Sequence, residues 1–525
     1  MLIDSHTLPA GTALDAQVCI IGGGAAGITL AREFIGQPFR VILLESGGLA
    51  ADTKTQKLYE GRTVGRPYYP LTICRLRYFG GTTNHWAGEC RPLREIDFES
   101  RAGMPHSGWP FTRESLESFY QRAASICQLS PAPYDVATWA TEQTPPIPIV
   151  KSQLRTSIMQ FSPPTRFGEV YGDELKAADN IRVCLYANAL NIETDSQGRT
   201  ATRITATTLE GNTFSVSAKF FILATGAIEN ARLLLLSNEV QQAGLGNAHD
   251  LVGRFFMEHL EIKTALWLRS DSQFPLGLYQ QHAVEKPSHK GQVFGTLTFD
   301  PEVLRKKQLP NFRCELHDIS AQESVPLSTG EQSLRHIVRA ARRGHVPDAF
   351  MLHLKSVLGD FSGVANAALR RVPGDPQHFL TLVVIAEQTP NPESRVTLTD
   401  LRDSLGKRRV QLAWRLADID YANAGRIQKL IAQELGRLGL GRVKSLLNAD
   451  TGLWRLNGQH HHMGTTRMHT DPKQGVVDAN CKVHGMANLF VAGSSVFPTG
   501  GGGTPTLTLV ALALRMADHI KALLQ

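Results

Sequence analysis

The chain has 525 residues, 42% of them hydrophobic and 20% charged, with a net charge of +7. This composition is ordinary for a globular protein. With no long Lys/Arg run and no basic–aromatic stripe, nucleic acid is not an expected partner. The positive balance suits an acidic partner or solubility alone.

The N-terminus, MLIDSHTLPAGTALDA, lacks a basic stretch followed by an apolar one, so it does not read as a signal peptide. No run of about 18 apolar residues suggests a membrane span. The expected location is the cytoplasm, with export on a partner that carries its own signal left open. Cys19, Cys74, Cys90, Cys127, Cys184, Cys314 and Cys481 are odd in number and form no CxxC pair. Buried or free thiols in a reducing compartment fit this spacing.

Ala16 to Ile21 form an apolar run that predicts a buried parallel strand. Gly22, Gly24 and Gly27 then supply G-x-G-x-x-G, Ile28 to Phe34 read as a helix start, and Phe39 to Leu44 predict a second strand ending in Glu45. Gly22 permits the tight turn and Gly24 lets backbone approach a pyrophosphate. Gly27 allows close packing, and the helix N-terminus favours phosphate charge. Glu45 can accept from a ribose hydroxyl. The motif alone does not separate FAD from NAD.

A second glycine cluster, RYFGGTTNHW, contains Gly81, Thr82, Thr83, Asn84 and His85. Its amides and hydroxyls could meet a phosphate or a ring edge, or form an ordinary polar turn. KFFILATGAIENARLLLLSN predicts a strand, a turn at Ala224 and a Leu-rich helix. Residues 378–388, SRVTL and 410–416 read as strands of one sheet. SLRHIVRAARRGHVPDAFMLHLKSVL, residues 333–358, reads as a basic amphipathic helix, either docking or packed on its own domain.

QHHHMGTTRM carries His460, His461 and His462 in succession. Metal ligation, base catalysis and surface polarity are the possible readings. Three adjacent histidines do not easily share one ion, and no Cys-rich or carboxylate-rich partner cluster is evident. Asn488 to Ala492 predict a last strand running into Gly493 and Ser494. A glycine-rich loop follows, and then a helix opened by Thr504 and Pro505, where Thr suits the N-cap and Pro the first turn.

Together GGGAAG with LLES, GGTTNHW, SGWPF, LATGAIENARLLL, HDLVGRFFMEH, EQTPNPESRVTL, HHMGTTRM and GSSVFPTGGGGTPTLT resemble the glucose–methanol–choline family of FAD oxidoreductases over essentially the whole chain. The general look is nearest to the pyranose oxidase and bacterial sugar dehydrogenase branch. The resemblance implies an α/β fold, α+β overall. A discontinuous Rossmann-like FAD domain (1–135, 176–255 and 458–525) would join a substrate domain on a mostly antiparallel sheet (136–175 and 256–457).

It further implies that His461, three residues before Gly464, is the base that faces the flavin N5. Ala189, Ala224, Gly493, Ser494, Pro505 and Thr506 would join the two glycine loops around FAD. His85 stands where some members bond covalently to the flavin. The amides near Thr506 and Leu507 would stabilise charge on the flavin edge. Where the family usually has Asn or His before this Pro, the chain has Thr504, which could hold a substrate oxygen but could not act as a base.

The expected activity is oxidation of a CH–OH group of a sugar, glycoside or related polyol. The reoxidant would be oxygen, a quinone or a redox protein, and the protein could form a homo-oligomer. A flavin-containing lyase, an oxidoreductase of a secondary-metabolite alcohol and a non-catalytic flavin subunit are the rivals.

Overall fold

In a computed structural model, residues 1–149, 151–271, 275–318, 379–447 and 456–525 are described, with scattered helical positions between 337 and 357. The basic helix expected within residues 333–358 lies, apart from such positions, outside the described residues.

The apolar run of the first strand propagates into a mixed sheet. Its order is Leu2–Asp4, Ile181–Leu185, Val41–Leu44, Ala13–Ile21, Thr213–Leu223, Ala201–Thr207, Asn188–Thr194, with Leu489–Val491 also on Thr213–Leu223. The first five strands and Leu489–Val491 run parallel, and the last two pairings are antiparallel. Val18, Ile20, Val41 and Leu43 are fully buried, as is usual for the central strands of a parallel sheet. Pro505–Leu524 buries Leu507, Val510 and Leu514, each worth about 1.5–3 kcal/mol against exposure.

The turns that follow Ile21, Leu44, Leu223 and Val491 all lie at the carboxyl ends of parallel strands, where α/β sheets bind their ligands. The second strand begins at Val41 rather than Phe39. Phe39 instead accepts from the Asn180 amide through its carbonyl.

A second, antiparallel sheet has the order Gly441–Ser445, His259–Arg269, Phe379–Glu387, Phe312–Asp318, His289–Phe299, Leu154–Phe161, Glu89–Cys90. Helix Asp418–Arg437 packs Ile427, Ile431 and Leu435 into its core beside Trp267. The strands expected to form one sheet divide between two. Arg395–Arg402 and Arg408–Trp414 form a hairpin that adds Arg62–Gly65 in parallel, apart from Phe379–Glu387. The reason is a long-range pairing with residues near 62, invisible to local alternation. All seven cysteines are buried free thiols. Among the described residues, no helix is long and apolar enough to cross a membrane.

Candidate active site

The two glycine loops dock against each other. Gly80 N–H donates to the Gly23 carbonyl at 2.8 Å. Gly81, at φ 55°, approaches so closely that a Cβ would lie 3.0 Å from Gly24 Cα. A Cβ on Gly27 would stand 1.8 Å from the Gly22 carbonyl oxygen, so the helix can begin there only without a side chain. Glu45 is 5% exposed. Its carboxylate accepts from Gly23 N–H at 2.9 Å and Gly47 N–H at 2.7 Å, which fixes it at the cavity wall. Lone pairs remain on both oxygens for a further donor.

These loops wall a cavity of about 800 Å³, well within the size of cofactor pockets. Gly22, Gly24, Glu45, Gly81, Thr82 and Thr83 line one end of it, and His85, Ala189, Ala224, Gly493 and Ser494 also line it. Pro505 and Thr506 join them from the last helix. Gly27 and Asn84 do not. Gly27 packs against Gly22, and the Asn84 amide donates to the Phe79 carbonyl at 2.9 Å, closing its loop from within. The residues fit a dinucleotide. Gly24 carries a backbone that a Cβ would extend into open space, and a fixed carboxylate ends the second strand.

The three histidines turn to three different partners. His460 adopts φ 59° and stacks on Tyr69 with ring centroids 4.3 Å apart. His461 Nδ1 lies 2.9 Å from His259 Nδ1. His462 Nε2 lies 2.8 Å from the Tyr68 hydroxyl, and Tyr68 in turn donates to Glu258. All three line the cavity, but their divergent partners are not those of a shared metal ion.

Glu258 organises this segment from beneath. Its carboxylate also accepts from the His461 amide at 2.8 Å and the Gln459 amide at 3.2 Å. Complete burial pushes Glu258 up to about 7, against the lowering effect of these donors. Burial likewise lowers the histidines: His462 to about 3, with the Arg75 charge second, and His259 to about 4, with Arg313 second. His461 lies well below its ordinary range through burial and then His259. At neutral pH all three rings are uncharged.

Thr504 occupies the N-cap position of Pro505–Leu524 but makes no capping bond. Its hydroxyl donates instead to the Glu89 carbonyl at 2.6 Å, so the cap expected from sequence is not formed. The residue still lines the cavity, yet its proton is committed to protein. Thr506 reaches the cavity, whereas Leu507 is 1% exposed and does not line it.

Sequence reading did not single out Tyr68, Tyr69, Glu258 or His259. The string MEH, quoted only as a family marker, was the available signal. Nothing local says that its acid and histidine meet residues about two hundred positions later.

A profile of the GMC oxidoreductases matches residues 390–513. The chain is 23% identical to the fructose dehydrogenase large subunit of Gluconobacter japonicus, over 97% of this chain and 98% of that one. It is 25% identical to 6'''-hydroxyparomomycin C oxidase of Streptomyces lividus, over 96% of this chain and 92% of that one. Its fold is similar to that of pyridoxine 4-oxidase from Mesorbium loti, with a TM-score of 0.56 at 17% identity, covering 96% and 99% of the two chains. The dinucleotide cradle and the cavity-facing histidine accompany this similarity to the GMC oxidoreductases, and the chain is an FAD-dependent oxidoreductase acting on CH–OH donors.

Proposed function

We propose that the protein oxidises a CH–OH group of a sugar, glycoside or related polyol, with His461 as the base. One observation carries this. His461 lines the cavity, its Nδ1 is held by His259, and its Nε2 has no hydrogen-bond partner among the described residues. A neutral imidazole presented this way can take the hydroxyl proton. Bound FAD supplies the acceptor for the hydride that leaves the same carbon.

The other side chains bind and orient. Gln459, His460, Glu89 and Glu261 line the same cavity and can hydrogen-bond a polyhydroxylated substrate. The names of the two relatives, a fructose dehydrogenase large subunit and a 6'''-hydroxyparomomycin C oxidase, support that class. Gly22, Gly24, Glu45, Gly81, Thr82 and Thr83 would hold FAD at one end, with Ala189, Ala224, Gly493 and Ser494 along its length. The first turn of Pro505–Leu524 lacks a side-chain cap, so its amides near Thr506 favour negative charge beside them.

His85 is the candidate for a covalent link to FAD. It lines the cavity, and burial, with the Arg166 charge second, keeps its ring neutral. The electron acceptor is oxygen, a quinone or a redox protein. The chain contains no CxxCH, so any haem belongs to a partner. We assign residues 1–135, 176–255 and 458–525 to the FAD domain and residues 136–175 and 256–457 to the substrate domain. We assign the protein to the cytoplasm.

The test is anaerobic addition of sugars, glycosides and simple alcohols while the flavin absorbance is followed. Bleaching by a polyol class with loss of bleaching in His461→Ala is the expected result. Bleaching that survives in His461→Ala overturns the base. No bleaching by any donor favours the lyase, a reading that the committed Thr504 hydroxyl supports. Acid precipitation assigns the linkage: a yellow pellet supports His85, and a yellow supernatant refutes it.

A further inference from the structure

We propose that His259 is a positioning residue that fixes the tautomer of His461, so that Nε2 is the bare nitrogen facing the cavity. The proposal deepens the reading of His461 as base and rests on it.

The hydrogen atoms of the two rings are fixed one by one. His259 Nε2 lies 2.9 Å from the Gly501 carbonyl oxygen. A carbonyl only accepts, so Nε2 carries the proton. A neutral imidazole has one N–H, which leaves His259 Nδ1 as an acceptor. The contact of 2.9 Å between the two Nδ1 atoms then requires the proton on His461 Nδ1. His461 Nε2 is therefore unprotonated. The opposite tautomers would set a lone pair of His259 against the carbonyl oxygen.

The start of this chain is rigid. Gly501 adopts φ 65°, and a Cβ there would lie 2.5 Å from Leu93 Cδ2. Its N–H donates to Glu387 at 3.0 Å. Glu387 also accepts from the Asn311 amide at 2.6 Å and is ion-paired with Arg101. Both His259 and Glu387 are buried, at 0% and 1% exposed. The carbonyl thus has one direction, and the two rings inherit it.

The adjacent residue completes the arrangement. Glu258 holds the His461 amide while His259 holds the ring. Burial keeps both rings neutral at working pH, as the tautomer chain requires. When the hydroxyl proton arrives on His461 Nε2, the ring becomes cationic and keeps donating through Nδ1 to an uncharged acceptor.

The test is NMR of holoenzyme labelled with 15N-histidine, with signals assigned through His461→Gln. The expected wild-type result is a protonated Nδ1 and a bare Nε2 on His461. In His259→Leu, which folds if it retains FAD, the Nε2–H form should appear and kcat should fall by about 10²–10⁴-fold with little change in KM. His259→Asn keeps an acceptor near the Nδ1 position and should restore both the tautomer and at least part of kcat. An Nε2–H tautomer in wild type, or an unchanged tautomer in both variants, overturns the proposal. Full turnover in His461→Ala would sink the base reading alone, because the tautomer is read without turnover.

Discussion

His462 offers a test of how far burial controls this site. The ring donates to Tyr68, is packed near Phe256, and is held down to about 3 by burial and then by the Arg75 charge. A depressed histidine stabilises the fold only while the unfolded chain is also neutral. As pH falls below about 6.5, the unfolded state takes up a proton that the native state refuses, and stability drops by about 1.4 kcal/mol per pH unit. At pH 4.5 that amounts to about 2.7 kcal/mol from this one group.

His462→Gln keeps an N–H for Tyr68 but does not titrate. Its loss of ring packing costs about 1 kcal/mol at pH 8, a typical single-substitution value. The variant should therefore be the less stable protein at pH 8 and the more stable one at pH 4.5. The curves should cross near pH ~6 on the same arithmetic. Urea unfolding of the FAD-loaded proteins across that range, at fixed FAD, reads the difference directly. A stability difference that stays constant from pH 8 to pH 4.5 would refute the argument that the ring is buried and neutral.

Two further outcomes bear on the cradle and on the departure at position 504. Gly27→Ala would set a methyl 1.8 Å from the Gly22 carbonyl oxygen, an overlap costing about 3 kcal/mol. FAD affinity should fall by more than about 100-fold, and purified protein with a full complement of flavin would contradict this. Thr504→Val removes the bond to Glu89 and should lower stability by about 1–2 kcal/mol while kcat falls less than about tenfold. Abolished turnover in a folded, flavin-loaded variant would mean that Thr504 touches substrate after all.

The nucleotide cradle was legible because its grammar is local. An apolar run, three glycines at fixed spacing and an acid at the end of the next strand lie within residues 16–45. Each needs only near neighbours to do its work. The histidine run was legible as a place but not as a mechanism, since spacing cannot tell which ring turns to which partner. Those partners, His259 and Tyr68, lie 202 and 394 residues away. The Thr504 hydroxyl is a sharper case. N-cap propensity is a local statement, and the carbonyl that takes the proton belongs to Glu89, 415 residues earlier. A tertiary acceptor outcompeted the helix's own amides.

That substitution changes what must hold His461. The family resemblance implies a hydrogen-bonding Asn or His before Pro505, beside His461. Here the residue is short and its proton is directed to the protein. The orientation of His461 then depends on the layer behind it, where Gly501 fixes His259, His259 fixes the ring, and Glu258 fixes the backbone. None of these three contacts involves residue 504. His461 can be set in place whatever side chain opens the last helix, so a Thr at position 504 leaves the way His461 is held unaltered.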